Sequence, residues 1–422
     1  MILSVRANNY LVYSNTTELS AVADMRIKKF YSNVYSQNDF NALKAVCIYG
    51  ANNVGKTCMV RAINSIRNVL MGYSAEVPTN LYSGDNICSL GISFLHEGNA
   101  FSYDFKFDLT MINQATRGFV YERLAELNYD DYGNIREKEV FVRDMISNKY
   151  YFRDNEELSN LLGLISPNNI LIYTINSEKY PIIKHYSSIL RGFASKISVL
   201  TMDNIPIEKT IRVLKENQTI CKKTVELIKL ADLDIDDYLY LNGDIPSSPN
   251  HNGDKPQEVA LHSPVVADDM FKLISVHKGK RLQSLLYDST GTKKMVALAS
   301  FIVEALEYGR ILVVDELDSS LHFKLTRAVV SLFNSELSYA QLIFTAHDVN
   351  LLDCKKLFRK DQIWFAAKNE SGAYLYPLAN FTAQKDNIRS DTDLIEKYKK
   401  GVLGAIPEPD LISLLINEVD DE

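Results

Sequence analysis

A chain of 422 residues exceeds one ordinary domain, leaving room for a large head with an insertion or for two domains. Hydrophobic residues make up 46% and charged residues 23%, a globular balance that excludes an unfolded polyelectrolyte. The net charge of −7 excludes a basic coat over the whole surface, although a local basic stripe facing phosphates stays compatible with it.

From the N-terminus, Met1–Arg6 reads as the start of a strand, with no signal-peptide pattern. Lys44–Tyr49 is a short apolar run before a Gly-rich turn, the mark of a buried parallel strand. In Thr57–Leu70, Met59, Val60, Ile63, Ile66, Val69 and Leu70 recur at helical spacing. Ile92–Phe94 and Phe101–Phe107 cluster β-formers and predict strands. Residues 111–264 read as a mainly helical insertion, with helix over Ile207–Leu230 and a polar loop over Asn242–Lys255. Neither a sustained heptad nor an internal repeat is present.

The α/β rhythm then returns. Thr292–Tyr308 predicts a helix ended by Gly309, Ile311–Val314 a strand and Phe323–Leu337 a helix. Gln341–Thr345 and Gln362–Phe365 predict further strands, and Glu418–Glu422 an acidic solvated tail. Strands alternating with helices imply an α/β fold with a mainly parallel sheet covered on both faces. The expected division is an N-terminal lobe (1–110), the insertion (111–264) and a C-terminal lobe (265–422). Met295–Leu306, the longest apolar stretch, is too short to cross a bilayer and contains Glu304. The cysteines Cys47, Cys58, Cys88, Cys221 and Cys354 are odd in number and lack metal-ligand spacing, so reduced thiols are expected. A soluble, cytoplasmic protein with no membrane partner follows as the expectation.

Gly50-Ala51-Asn52-Asn53-Val54-Gly55-Lys56-Thr57 matches the phosphate-loop pattern GxxxxGK[ST]. A triphosphate must be wrapped by backbone N–H groups at a helix N-terminus, and the glycines let the backbone approach it. Lys56 then reaches the β- and γ-phosphates, and the Thr57 hydroxyl faces Mg²⁺. Ile311–Glu316 is an apolar strand ending in two carboxylates, which a parallel sheet delivers beside that loop. Asp315 would hold Mg²⁺, and Glu316 would act as general base on the attacking water.

Asp288-Ser289-Thr290-Gly291-Thr292 opens the next helix and resembles the ABC signature, with Ser289 and Gly291 in matching places. The same residues also suit an ordinary helix cap. Leu317–His322 resembles the D-loop, with His322 where an Asp is commoner, and His347 stands where the ABC switch histidine ends its strand. Gln114 is a candidate Q-loop residue or an exposed loop residue. Tyr10 and Tyr13 are candidates for an adenine clamp or for the core.

This order of motifs is similar to SMC/RecF-like ABC ATPase heads, and more narrowly to AbiL/RloA-like AAA-family ATPases of bacterial abortive-infection systems. Val5–Tyr13, Asp288–Lys294, Phe344–Asp348, Arg359–Phe365 and Gly404–Pro407 carry that resemblance. It implies ATP and Mg²⁺ as cofactors and a homodimer or larger homo-oligomer in which Ser289 and Gly291 cap the nucleotide of the opposite subunit. It further implies a sensor ATPase of anti-phage defence acting on a separate effector, and leaves nucleic acid open as a partner. The stretch after Phe365 shows no metal-binding acidic cluster of a nuclease. An ATP-assembled scaffold with little hydrolysis, or the nucleotide-binding subunit of a transporter, are the competing readings.

Overall fold

The computed structural model describes the chain except residues 74–76, 81–82, 112–117, 130–134, 217, 232, 242–268, 383–392 and 405–422. Two sheets organise it, with strands numbered in chain order. The first is antiparallel and runs β10 (Lys149–Phe152), β9 (Ile135–Asp144), β8 (Phe119–Tyr129), β7 (Asn99–Asp108), β6 (Ile87–His96), β1 (Ile2–Asn8), β2 (Thr17–Ser20). The second runs β11 (Ile197–Thr201), β15 (Ile311–Asp315), β16 (Gln341–Ala346), β5 (Ala45–Tyr49), β17 (Ile363–Asn369), β18 (Gly372–Pro377). Its pairs are parallel except the last, β17 with β18.

β5, β15 and β16 are buried at every residue, which is why they read as unbroken apolar runs rather than alternating ones. The helix Lys56–Leu70 buries Met59, Ile63, Ile66 and Leu70 in one core, shared with apolar residues of both sheets. The helices Thr290–Tyr308 and Phe323–Phe333 bury Met295, Leu298, Ile302, Val329, Val330 and Phe333 in a second core. Each such fully buried aliphatic side chain contributes about 1.5–3 kcal/mol. Gly309 ends its helix at φ 58, as the sequence predicts.

Residues 111–264 depart from the expected mainly helical insertion. They hold the helices Glu156–Leu162, Leu171–Thr174, Pro181–Ser195, Ile207–Glu216 and Gln218–Leu230, yet they also supply β8, β9 and β10 to the antiparallel sheet and β11 to the parallel one. One face of β8 buries Val120, Glu122 and Leu124 before a register shift at Ala125, a short period-2 signal that charged neighbours obscure. Glu122 is fully buried there and pairs at 2.9 Å with equally buried Arg143 of β9. The Tyr103 hydroxyl and the Leu171 N–H also donate to that carboxylate, which satisfies it away from water. A third, antiparallel sheet joins β12 (Asp237–Tyr240), β13 (Leu273–His277) and β14 (Lys280–Gln283), and β3 (Val34–Gln37) pairs with β4 (Phe40–Leu43). Among the described residues no helix is long and apolar enough to cross a membrane. The polar loop expected over Asn242–Lys255 and the tail beyond Gly404 lie outside the described residues.

Candidate nucleotide-binding site

β5 runs into the loop Gly50–Thr57, and the helix starting at Lys56 has no side-chain cap. Among the described α-helices four have one, with Asn155, Ser289, His322 and Asp393 each accepting a backbone N–H at their starts, while those at Leu171, Pro181 and Ser284 also lack one. The uncapped end leaves its N–H groups and the positive pole of the helix free for an anion. Gly55 adopts φ 104, and a Cβ there would stand 2.9 Å from a Val12 methyl, so no larger residue fits. Asn53 adopts φ 61, a left-handed conformation that Asn tolerates better than most residues, and its side chain is exposed with Asn52. Ala51 and Val54 complete the loop half-buried, and Thr57 is exposed on the first helical turn.

Lys56 is buried and donates to the Gly50 and Ala51 carbonyls at 2.8 and 2.7 Å, folding back across the loop. Burial pulls its ammonium below the ordinary lysine range, while Glu316, Asp315 and Asp318 hold the charge on.

Those carboxylates reach the loop because β15 and β5 flank β16, all pointing the same way. Asp315 is buried and accepts the Thr345 hydroxyl at 2.6 Å. The same hydroxyl accepts the Glu316 N–H at 2.7 Å, fixing a residue held at φ 57. Glu316 Oε1 lies 3.6 Å from His347 Nε2, and both side chains are partly exposed. Asp318 closes the arrangement: one carboxylate oxygen accepts the N–H groups of His347 and Asp348 at 2.8 and 2.5 Å. Its other oxygen is buried without a protein partner among the described residues. Lys56, Asp315, Glu316 and His347 therefore converge at the carboxyl edge of the parallel sheet.

Ser289 is exposed at the start of the helix Thr290–Tyr308 and accepts the Thr292 N–H at 3.1 Å. A Cβ on Gly291 would meet the Ser320 carbonyl at 2.6 Å, and Lys294 reaches the hydroxyls of Ser319 and Ser320. The segment Asp288–Thr292 thus leans on Leu317–His322, and among the described residues it makes no hydrogen bond to the loop Gly50–Thr57. His322 caps the helix Phe323–Phe333, its Nδ1 accepting the Lys324 N–H at 3.4 Å, a role that an Asp there would also fill.

For Tyr10 and Tyr13 the core alternative holds. Tyr10 and Tyr13 are fully buried in the core, and the Tyr13 hydroxyl donates to the Gly55 carbonyl at 2.6 Å, so they support the loop from beneath rather than clamp a base. Gln114 lies outside the described residues. Thr345 and Asp318 escaped the sequence reading because a bridging hydroxyl or a backbone-anchoring carboxylate has no pattern of its own, although both sit inside stretches that drew attention.

The residue set fits a Mg²⁺–nucleotide: an uncapped helix end, a buried lysine, and a hydroxyl and carboxylate of the kind Mg²⁺ takes when phosphate and water complete its shell. Among the described residues no group of three or more His, Cys, Asp and Glu could hold a metal by itself.

The sequence profile of the family described as "AAA domain, putative AbiEii toxin, Type IV TA system" matches residues 45–353. No curated protein sequence matches the chain. Among solved structures, the SMC head domain from Thermotoga maritima is 11% identical with a TM-score of 0.42, covering 89% of this chain and 98% of that one. The Smc head domain with an extended coiled coil bound to the C-terminal domain of ScpA, from Pyrococcus furiosus, is 12% identical with a TM-score of 0.41, covering 94% and 99%.

Proposed function

Because the chain belongs to that AAA-domain family, we propose that it is a Mg²⁺-dependent ATPase that holds ATP between two copies of itself. The observation that carries this reading is the meeting of Glu316 with His347 beside the buried Lys56 and the uncapped helix. In it, the loop Gly50–Thr57 wraps the triphosphate and Lys56 gives up its carbonyl partners for phosphate oxygens. Thr57 and Asp315 would hold Mg²⁺, which would neutralise phosphate charge. Glu316 accepts the proton of the attacking water, and His347, 3.6 Å away, contacts the terminal phosphate. Ser289 and Gly291 serve the nucleotide of the twin, which accounts for their lack of contact with their own P-loop.

Steady-state phosphate release tests it. Lys56→Ala should abolish turnover, and Glu316→Gln should keep ATP binding while lowering turnover by about 100-fold or more. Unchanged turnover in Glu316→Gln removes Glu316 from the role of base.

At the level of biology, the reading is a sensor or regulatory ATPase of an anti-phage abortive-infection system, acting on a separately encoded effector such as a nuclease or toxin. The support is the family together with the sequence resemblance. Phage plating on cells carrying the gene with its neighbours, with and without Lys56→Ala, tests it: protection that survives the substitution contradicts the role.

A further inference from the structure

Where the ABC signature carries an apolar first residue, this chain has Asp288, whose side chain is fully buried. Three side chains converge on it. The Ser275 hydroxyl donates to one oxygen at 2.7 Å, the Ser284 hydroxyl to the other at 2.6 Å, and His277 Nε2 lies 3.3 Å from the first. Ser284 in turn accepts the buried Tyr238 hydroxyl at 2.8 Å. His277 Nδ1 meets the Asp234 carbonyl at 2.7 Å, so both ring nitrogens face acceptors and the ring bridges two segments.

The origin of these partners matters more than their number. Tyr238 lies on β12 and Ser275 and His277 on β13, so the small sheet supplies these three, while Ser284 opens the short helix Ser284–Tyr287 that joins β14 to Asp288. None comes from the parallel sheet or the P-loop. The next residue after Asp288 is Ser289, whose hydroxyl is committed to the first turn of the helix. A buried carboxylate costs several kcal/mol unless every partner stays in place, so the segment cannot move independently of the sheet that satisfies it.

Resting on the ATPase reading above, we propose that Asp288 is a positioning residue for Ser289, and that the sheet β12–β14 is the lever that sets the signature segment through it. Displacement of the exposed hairpin turn Lys278–Gly279 draws on His277 and Ser275 and re-aims Ser289 toward or away from the nucleotide of the twin. The lever acts across the dimer, on the opposite subunit's site, and leaves nucleotide binding by its own P-loop unchanged.

Two measurements on the full chain test this. The first needs no nucleotide: hydrogen exchange in a peptide spanning residues 286–296. His277→Ala and Ser275→Ala lie in the sheet, outside the signature, and each should speed exchange at the capped Thr292 N–H by about tenfold. Exchange equal to wild type overturns the lever whether or not the protein hydrolyses ATP. The second uses mixed subunits. Asp288→Ala alone should lose turnover while binding a fluorescent ATP analogue with unchanged affinity, and Asp288→Asn should recover part of the loss.

Mixing Asp288→Ala with Lys56→Ala pairs an intact Lys56 from one subunit with an intact signature from the other, restoring about a quarter of wild-type turnover. A mixture no more active than its components overturns the action across the dimer. A wild-type chain without turnover defeats the ATPase reading instead, with the exchange result still deciding the lever.

Discussion

Thr345→Val removes one hydroxyl from the centre of the site and leaves the side-chain volume in place. Thr345 is fully buried, and its hydroxyl spans 2.6 Å to Asp315 and 2.7 Å to the Glu316 N–H. The substitution leaves a buried carboxylate short of one donor and an N–H short of its acceptor. Each unmade bond costs about 1–3 kcal/mol, so a loss of roughly 2–6 kcal/mol in unfolding free energy is expected by urea denaturation. The activity should fall further than stability alone explains, because the Glu316 backbone at φ 57 loses the bond that fixes it. Misplacement by an ångström costs about 100-fold in rate, and that is the expected drop in kcat from phosphate release. Thr345→Ser keeps the oxygen and separates the two effects: it should lose about 1 kcal/mol for its missing methyl while keeping most of the turnover. Thr345→Val with turnover within about twofold of wild type would refute the idea that this hydroxyl aligns the carboxylates.

Four further outcomes follow from the same geometry. Asp318→Ala should speed hydrogen exchange at His347 and Asp348, whose N–H groups it accepts, and lower kcat with little change in ATP affinity; unchanged exchange removes the anchor. Gly291→Ala places a methyl 2.6 Å from the Ser320 carbonyl, so ATP-driven dimerisation should fail while ATP binding persists; a normal dimer by light scattering contradicts the close contact. Arg143→Met strands the buried Glu122 carboxylate and should cost about 3–5 kcal/mol in unfolding free energy; a loss under about 1 kcal/mol shows the carboxylate to be solvated. Burial pushes the thiols of Cys88 and Cys354 up to about 12 and also raises Cys47, Cys58 and Cys221. A raised thiol holds less thiolate at any given pH, so alkylation at pH 8 should reach the half-buried Cys58 and Cys221 first and the other three only after denaturation. Fast labelling of Cys47 in the native protein contradicts the described core.

What the sequence made legible was the part written in continuous local patterns. Lys44–Tyr49 and Ile311–Val314 are buried on both faces, so their apolar runs survive intact, and the loop Gly50–Thr57 has a spacing that chemistry imposes. The antiparallel sheet was harder. β8 and β9 carry Glu122, Arg123, Glu126, Arg136, Glu137, Lys138 and Glu139, charges that pair across strands and mask the alternation when one strand is read alone. Tyr10 and Tyr13 show the limit differently: an aromatic near a phosphate loop suits a base clamp or a core equally, and only burial decides. Contacts between residues far apart in the chain, such as Thr345 with Asp315 or Ser275 with Asp288, exist only once the strands are ordered.

The proposed sharing of ATP between two copies is best examined by light scattering of Glu316→Gln with Mg²⁺ and saturating ATP. The account predicts a particle of twice 47.8 kDa that returns to single chains when Ser289 is replaced by Arg or ATP is withdrawn. A variant that binds ATP fully yet remains a single chain, or a dimer indifferent to both changes, contradicts it.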